Sequence, residues 1–462
     1  MIRRLVRFLD ERTGQAPLVR KLLRYVFPDH WSFLLGEIAL YCFVILVATG
    51  IYLTLFFEPS LAQTTYRGSY EPLRGATVSH AFRSTMDISF QVKAGLLLRQ
   101  THHWAADVFL VAITLHVLRV FFTGAYRKPR DLIYYVGVAL VVLAVLEGFL
   151  GSSLVDDLMS GMGLAIAYSV AMSIPVVGGN IALAIWGAPF PGAEEFSQRI
   201  YILHVLLFPV TIGLLIAAHL GFLVMRHHTQ FLQRRETEQR VVGVPLWPGY
   251  VPRTLGVFFG TAAVLFLLGG LVQINPIWEW GPFETGLSTN GAQPDWYLGW
   301  LIGALRVMPG FDVTIGDVTL IPNAFWGGAF FPLLVFGFLF LWPTIERRAT
   351  GDHAWHNLLD RPRDNPWRTA VGAGFFTWVA LVFFAGSADR VFLQVGIPYT
   401  WQIWTFRVAL FVMPLVVARL AYVVAREFAA SELHPLREPV ATVVRRTPTG
   451  GFQAEDGPSG QD

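Results

Sequence analysis

The stretch LLLRQTHHWAADVFLVAITLHVLRVFF, residues 96–122, decides how the rest of this chain is read. It is apolar over more than the ~20 residues a helix needs to cross a bilayer. Yet it carries His102 and His116, with Arg99 and Arg119 each three residues from one of them. Ionisable side chains inside a membrane are costly and mark function by default. At ~1.5 Å and ~100° per residue, the interval between the two histidines puts them about 21 Å apart along the axis and within roughly 40° of one face. One helix can therefore present two imidazoles at two depths.

The whole chain has the same solvent. Of its 462 residues 54% are apolar and only 15% charged, against about 25% charged in a soluble protein, so it lacks the side chains to coat itself in water. Eight apolar stretches are expected to span the bilayer, at 33–57, 96–122, 132–152, 200–225, 255–274, 324–345, 369–387 and 403–425. The fold class is an all-α integral membrane protein. Arginines and lysines fall on alternate connections, among them Arg3, Arg4, Arg127, Lys128, Arg226, Arg234, Arg347 and Arg348. The positive-inside rule then puts both termini in the cytoplasm. This gives a cytoplasmic segment 1–32, a four-helix bundle 33–225, a cytoplasmic connector 226–254, a second four-helix domain 255–425 and a disordered tail 426–462. The two long outer loops, 153–199 and 275–323, are expected to carry short surface helices and function. A net charge of +3 gives no reason to expect nucleic acid as a partner. Cys42 is the only cysteine, which excludes an internal disulfide, a covalently attached c-type haem and a cysteine-held iron–sulfur cluster. Charges interrupt every apolar run at the start, so the N-terminus does not read as a cleavable signal peptide.

The fourth span repeats the motif of the second with His204 and His219, one residue further apart, and Pro209 between them can underwind the helix. Paired across antiparallel helices, His102 with His204 and His116 with His219 would make two stacked bis-histidine sites for two b-type haems, an outer and an inner one. Gly36 and Gly50 in the first span, and Gly137 and Gly151 in the third, share the interval of His102 and His116, and lacking Cβ they would let a flat ring approach. Ordinary small-residue packing is the alternative. Arg99 and Arg119 could pair with haem propionates, or snorkel to the interface. His103 faces another direction from His102 and reads as a packing residue.

These residues, with HWSFLLG (30–36), IPVVGGN (174–180), Trp186-Gly187 and Pro294-Asp295-Trp296-Tyr297, resemble the cytochrome b subunit of cytochrome bc complexes, closest to the actinobacterial menaquinol type. The wider interval in the fourth span is similar to the plastoquinol and menaquinol branches. The chain departs from the family where Pro-Glu-Trp-Tyr reads Pro-Asp-Trp-Tyr, and where Leu-Pro-Trp reads Leu154-Val155-Asp156. The resemblance implies a quinol–cytochrome c reductase in a bacterial plasma membrane. Such an enzyme oxidises menaquinol at the outer face, sends one electron to a Rieske iron–sulfur subunit and the other through two haems to a quinone on the cytoplasmic side, and so translocates protons. It implies a c-type cytochrome subunit, a terminal oxidase in a supercomplex, a homodimer of complexes and membrane lipid as further partners.

Asp295 is expected to accept a proton, its charged form disfavoured by desolvation, with Tyr297 as wall or hydrogen-bond donor and Pro294 and Trp296 lining the quinol site. A helix-capping role for Asp295 is the alternative. At the inner quinone site His228 is favoured over His227, with Gln230 nearby; a solvated cluster beside Arg226 is the rival reading. A di-haem anchor passing electrons from an outer dehydrogenase to quinone is a second function, but needs only four or five spans and no Pro-Asp-Trp-Tyr loop. A transporter with buried histidines is a third, and predicts no haem absorbance.

Overall fold

A computed structural model describes residues 8, 10–28, 30–232, 236–288, 293–433, 443–446 and 452–455. Among these, eight helices are long and apolar enough to cross a membrane: Trp31–Thr54, Gly95–Phe122, Asp131–Ser152, Phe196–Arg226, Leu246–Leu271, Trp326–Thr350, Pro366–Ala385 and Tyr399–Ala430. Each corresponds to one expected span. The ends differ because polar residues continue a helix past its apolar stretch; the fifth begins well before residue 255, and the last runs on to Leu433. Helices satisfy every interior backbone group within one segment, which a chain surrounded by hydrocarbon requires.

The first span packs on the second, the third on the fourth, and the fifth against the first and second. The seventh and eighth spans pair along much of their length. The sixth and seventh are clamped at one end by a buried charge network, in which Arg368 pairs with Glu346 at 2.7 Å and Asp360 at 2.8 Å. Arg368 is 1% exposed. Tyr126 donates to Glu346 at 2.6 Å, tying the connection after the second span to the same point.

At the opposite end the two long loops lock together. The first holds helices Leu158–Ser173 and Gly178–Trp186, and Asp157 caps the former by accepting from the Ser160 backbone N–H at 2.9 Å. The second holds Ile277–Trp280, a tight turn Trp296–Leu298, helix Gly299–Val307 and the hairpin Val313–Ile315/Val318–Ile321. Backbone bonds from Leu158 to Gly281 and from Phe283 to Asp156, both 3.0 Å, join them. The Arg368 end is knit by short strand pairs, Val26–Phe27 with Val244–Pro245 and Gln230–Phe231 with Leu358–Leu359.

The expectation of a structureless tail from 426 needs correction where residues are described. The last helix includes residues 426–433, whose Ala, Glu and Leu favour helix, and 443–446 pairs antiparallel with 452–455. The rest of that tail, and residues 1–7, 9 and 29 of the N-terminal segment, lie outside the described residues.

Candidate haem and quinol sites

The structure brings His102 of the second span and His204 of the fourth together, and sets His116 and His219 within electrostatic reach of each other. The rings of His102 and His204 stand 6.3 Å apart, centre to centre, at 81°. With metal–imidazole bonds of ~2.0–2.1 Å, two rings sharing one metal stand roughly 6 Å apart, so this pair is spaced to hold one metal between them. The interval between His204 and His219 is reconciled by a π turn at Leu203–Leu207, ahead of Pro209. Its i→i+5 bonding takes up one residue more than an α turn, returning His219 to the face it would occupy at the shorter interval.

Each glycine of the expected set belongs to one histidine. A Cβ on Gly50 would lie 3.3 Å from His102 Cε1, and one on Gly36 3.4 Å from His116 Cε1. On Gly137 it would lie 3.3 Å from His219 Cε1, and on Gly151 only 2.5 Å from His204 Cε1. The glycines thus clear the imidazoles themselves. Thr49 fixes one tautomer: its hydroxyl donates to the Ile45 carbonyl at 2.7 Å, so its oxygen is left to accept from His102 Nδ1 at 2.9 Å. That leaves the His102 Nε2 lone pair for a metal.

The buried donors also suit a haem. Arg99 directs both terminal nitrogens to the Asn275 carbonyl at 3.3 Å, while its Nε has no hydrogen-bond partner. Arg119 lies 4.4 Å over the Phe33 ring with Nε and Nη2 unpartnered. Buried guanidinium groups left short of acceptors are what an anionic propionate would satisfy. A haem therefore fits this donor set at both depths.

Beside the first pair lies the Pro-Asp-Trp-Tyr turn. Asp295 begins Trp296–Leu298 but makes no side-chain cap bond; its Oδ1 instead meets His103 Nε2 at 2.7 Å, and Tyr297 donates to Oδ2 at 3.1 Å. His103 is thus no mere packing residue, and its different direction from His102 is what lets it reach this loop. Burial pushes the Asp295 carboxyl up, but His103 and Tyr297 outweigh it and hold the carboxyl below the usual range. The expectation that desolvation governs Asp295 is therefore corrected: it is a carboxylate stabilised by a paired imidazole. Asp107 completes the group. It is 8% exposed, its Oδ1 has no partner, and the ligand atoms of His103, Asp107 and Asp295 lie within 4.8 Å of one another. Tyr297 is buried against Leu110 and Ala144, and a Cβ on Gly148 would lie 2.7 Å from its hydroxyl. Trp296 lies beside Asp107, 36% exposed.

Over 446 residues the chain is 42% identical to the cytochrome bc1 complex cytochrome b subunit of Mycobacterium leprae, covering 96% of this chain and 80% of that one. It belongs to the cytochrome b subunit family of cytochrome bc1 complexes. The subunit of the same name in Corynebacterium diphtheriae is 42% identical over 445 residues (96% and 82% of the two chains), and that of Streptomyces coelicolor 41% over 458 (97% and 82%). Residues 107–282 match the family described as cytochrome b(N-terminal)/b6/petB. A solved structure titled hyperthermophilic respiratory complex III shares the fold at a TM-score of 0.64 and 19% identity, over 90% of this chain and 99% of that one.

Next to the His116/His219 end of this cytochrome b, His228 sits in an aromatic cage. Its ring centre is 4.9 Å from that of Phe27, 5.9 Å from Phe33 and 6.1 Å from Tyr25, and Tyr25 Oη lies 3.4 Å from Nδ1. Burial, followed by the charges of Arg130, Arg119 and His227, pushes His228 down to about 4. The ring is partly buried among these aromatic side chains, an environment that favours its neutral form. His227 lies outside this cage, stacked 5.0 Å from Tyr25, its carbonyl accepting from Arg130 at 3.0 Å. Gln230 is not free to act: its amide donates to the Arg240 carbonyl at 2.6 Å and accepts from the Val242 N–H at 3.0 Å.

Sequence reasoning missed Thr49, Asp107 and Glu147. For the two acids a signal was present, since a carboxylate inside an apolar span is a functional candidate by default; Glu147 Oε1 lies 2.9 Å from His204 Nδ1.

Proposed function

We propose that this chain is the di-haem subunit of a quinol–cytochrome c reductase. It oxidises a menaquinol-type quinol at the outer face, splits the electrons between a Rieske partner and two b haems leading to a quinone at the cytoplasmic face, and translocates protons. One observation carries this reading: His102 and His103 are neighbours on one helix, the first facing His204 and the second bonded to Asp295. Quinol oxidation has to remove electrons and protons at one place, and here the electron-accepting and proton-accepting groups adjoin. A haem held by two histidines would supply a one-electron relay suited to electron transfer rather than oxygen binding.

The residues' roles follow from their chemistry. His102 and His204 would hold the outer haem and His116 and His219 the inner one, with Gly36, Gly50, Gly137 and Gly151 making room beside the imidazoles and Arg99 and Arg119 available to pair with propionates. Pro294 and Trp296 line the quinol site. Asp295, with His103 and Tyr297, takes up a quinol proton within a shared hydrogen-bond group, where a proton can settle without leaving a lone buried charge. Near the inner haem, His228 remains neutral, and if Tyr25 donates to Nδ1, Nε2–H is left to donate to a quinone oxygen. Arginine-rich connections set both termini inside. Moving an electron inward against ~150 mV costs about 3.5 kcal/mol, so the inner haem should have the higher potential.

Purification in mild detergent tests the assignment. Two b haems in a dithionite-reduced spectrum together with a co-purifying Rieske subunit are expected, with a c-type cytochrome and, in a supercomplex, a terminal oxidase. A dehydrogenase in place of the Rieske subunit would favour the membrane anchor, and an absent haem spectrum a transporter.

A further inference from the structure

The two histidine pairs have unlike surroundings, and the difference is concentrated on Glu147. This residue belongs to the third span, Asp131–Ser152, one turn before Gly151, whose missing Cβ admits the His204 ring. Its Oε1 lies 2.9 Å from His204 Nδ1, an ion-pair distance, and that nitrogen has no hydrogen-bond partner among the described residues. Oε2 has no partner. Across the site, His102 Nδ1 faces the neutral hydroxyl of Thr49. At the other depth, no carboxylate pairs with the ring of His116 or His219 among the described residues, and His219 meets the backbone of Ile133 instead. Of the four Nδ1 atoms, that of His204 is the one beside a carboxylate among the described residues.

We propose that Glu147 is the positioning residue that sets the outer haem apart from the inner one, by accepting the His204 Nδ1–H bond and lowering the outer haem's reduction potential. This rests on the reading of the four histidines as haem ligands. A carboxylate bound to the distal nitrogen of an axial imidazole fixes its tautomer and orientation and makes it a more basic ligand. Both that push and the oxygen's negative charge stabilise the ferric over the ferrous state, because oxidation adds a positive charge at the iron. The sign is the one an inward-moving electron needs: the outer haem gives up its electron more readily than the inner haem does. Thr49 orients His102 without adding charge, and so contributes to fit rather than to the difference in potential.

The test is an optical redox titration of the purified complex carrying Glu147→Gln, Glu147→Leu or Glu147→Asp. In the Gln and Leu variants the ratio of reduced to oxidised outer haem at fixed ambient potential should rise, by about tenfold if the effect is as large as the lower end of what outer partners contribute to metal affinity. For one electron that is about 59 mV. The inner haem should titrate as before, and Glu147→Asp should recover part of the shift. The low-spin ferric signal of the outer haem in electron paramagnetic resonance should move in the Gln and Leu variants, that of the inner haem should not. Two haems with an unmoved outer potential in both variants, or an equal shift of both haems, overturns the role of Glu147. If the Gln and Leu variants lose the outer haem, Glu147→Asp must retain it at a potential above that of wild type but below that of the inner haem, or the proposal fails. A wild-type complex without b haems instead overturns the ligand assignment beneath it.

Discussion

At the scale of single residues, the site is built from groups whose meaning depends on one partner. His116→Leu should remove the higher-potential component of a redox titration and leave outer haem in place; loss of the lower-potential component alone would reverse the depth assignment. Asp295→Asn keeps the size of the side chain and removes its charge, and should slow steady-state quinol oxidation with both haem spectra intact. His103→Ala should slow turnover in the same way, because it releases Asp295 from the 2.7 Å contact that holds it; normal turnover in both variants would remove the proton role from this cluster. His228 allows a pH prediction with a definite sign. Its folded value of about 4 lies below the ~6.5 of a free histidine, so the fold favours the neutral form. The associated stability is present above about 6.5 and is lost as the pH falls toward 4. Inner-haem reoxidation by quinone should therefore show no titration step between about pH 5 and 8, while His228→Ala should slow it across that whole window. A step near 6.5 that disappears in the variant would mean that the ring is solvated after all.

At the scale of elements, the helices act as rulers, and glycines mark the positions where a ring must come close. Gly151→Ala would put a carbon 2.5 Å from His204 Cε1 and should cost the outer haem, whereas Gly36→Ala, at 3.4 Å from His116, should be milder and affect only the inner one. Haem-to-protein ratios and the two spectral components distinguish these outcomes. The π turn makes a sharper prediction. Deleting Leu206, inside it, would leave an ordinary α turn with the interval of the second span, and both haems should remain. Deleting Leu215, in the regular part of the same helix, would turn His219 away by about 100°, and the inner haem should be lost.

Over the whole molecule, what was legible followed from periodicity and cost. Eight spans, two histidine pairs and four glycines could be read because a bilayer penalises every departure from apolar helix, so each departure carries information. What could not be read depends on contacts between distant parts of the chain. His103 looked idle because its partner, Asp295, is 192 positions away, and Glu147, though conspicuous as a carboxylate inside a span, carries no local sign of which ring it faces. The buried clamp of Arg368, Glu346 and Asp360 was likewise hidden, since each alone reads as a surface charge after a span. Replacing Arg368 with Ala should lower stability in detergent by about 3–5 kcal/mol, as expected when one partner of a buried pair is removed. A thermal unfolding midpoint unchanged from wild type would show that water enters the gap.

The turn at Leu203–Leu207 bears on how such chains are compared. It works as a vernier: one extra residue slides into a local slack, and the marks on either side remain aligned with their counterparts on the facing helix. Distance counted along the chain and distance measured through the protein are uncoupled at this point and firmly coupled everywhere else in the span. Two sequences whose ligand intervals differ by one can thus describe the same pair of sites, and a search insisting on a fixed interval would discard one of them.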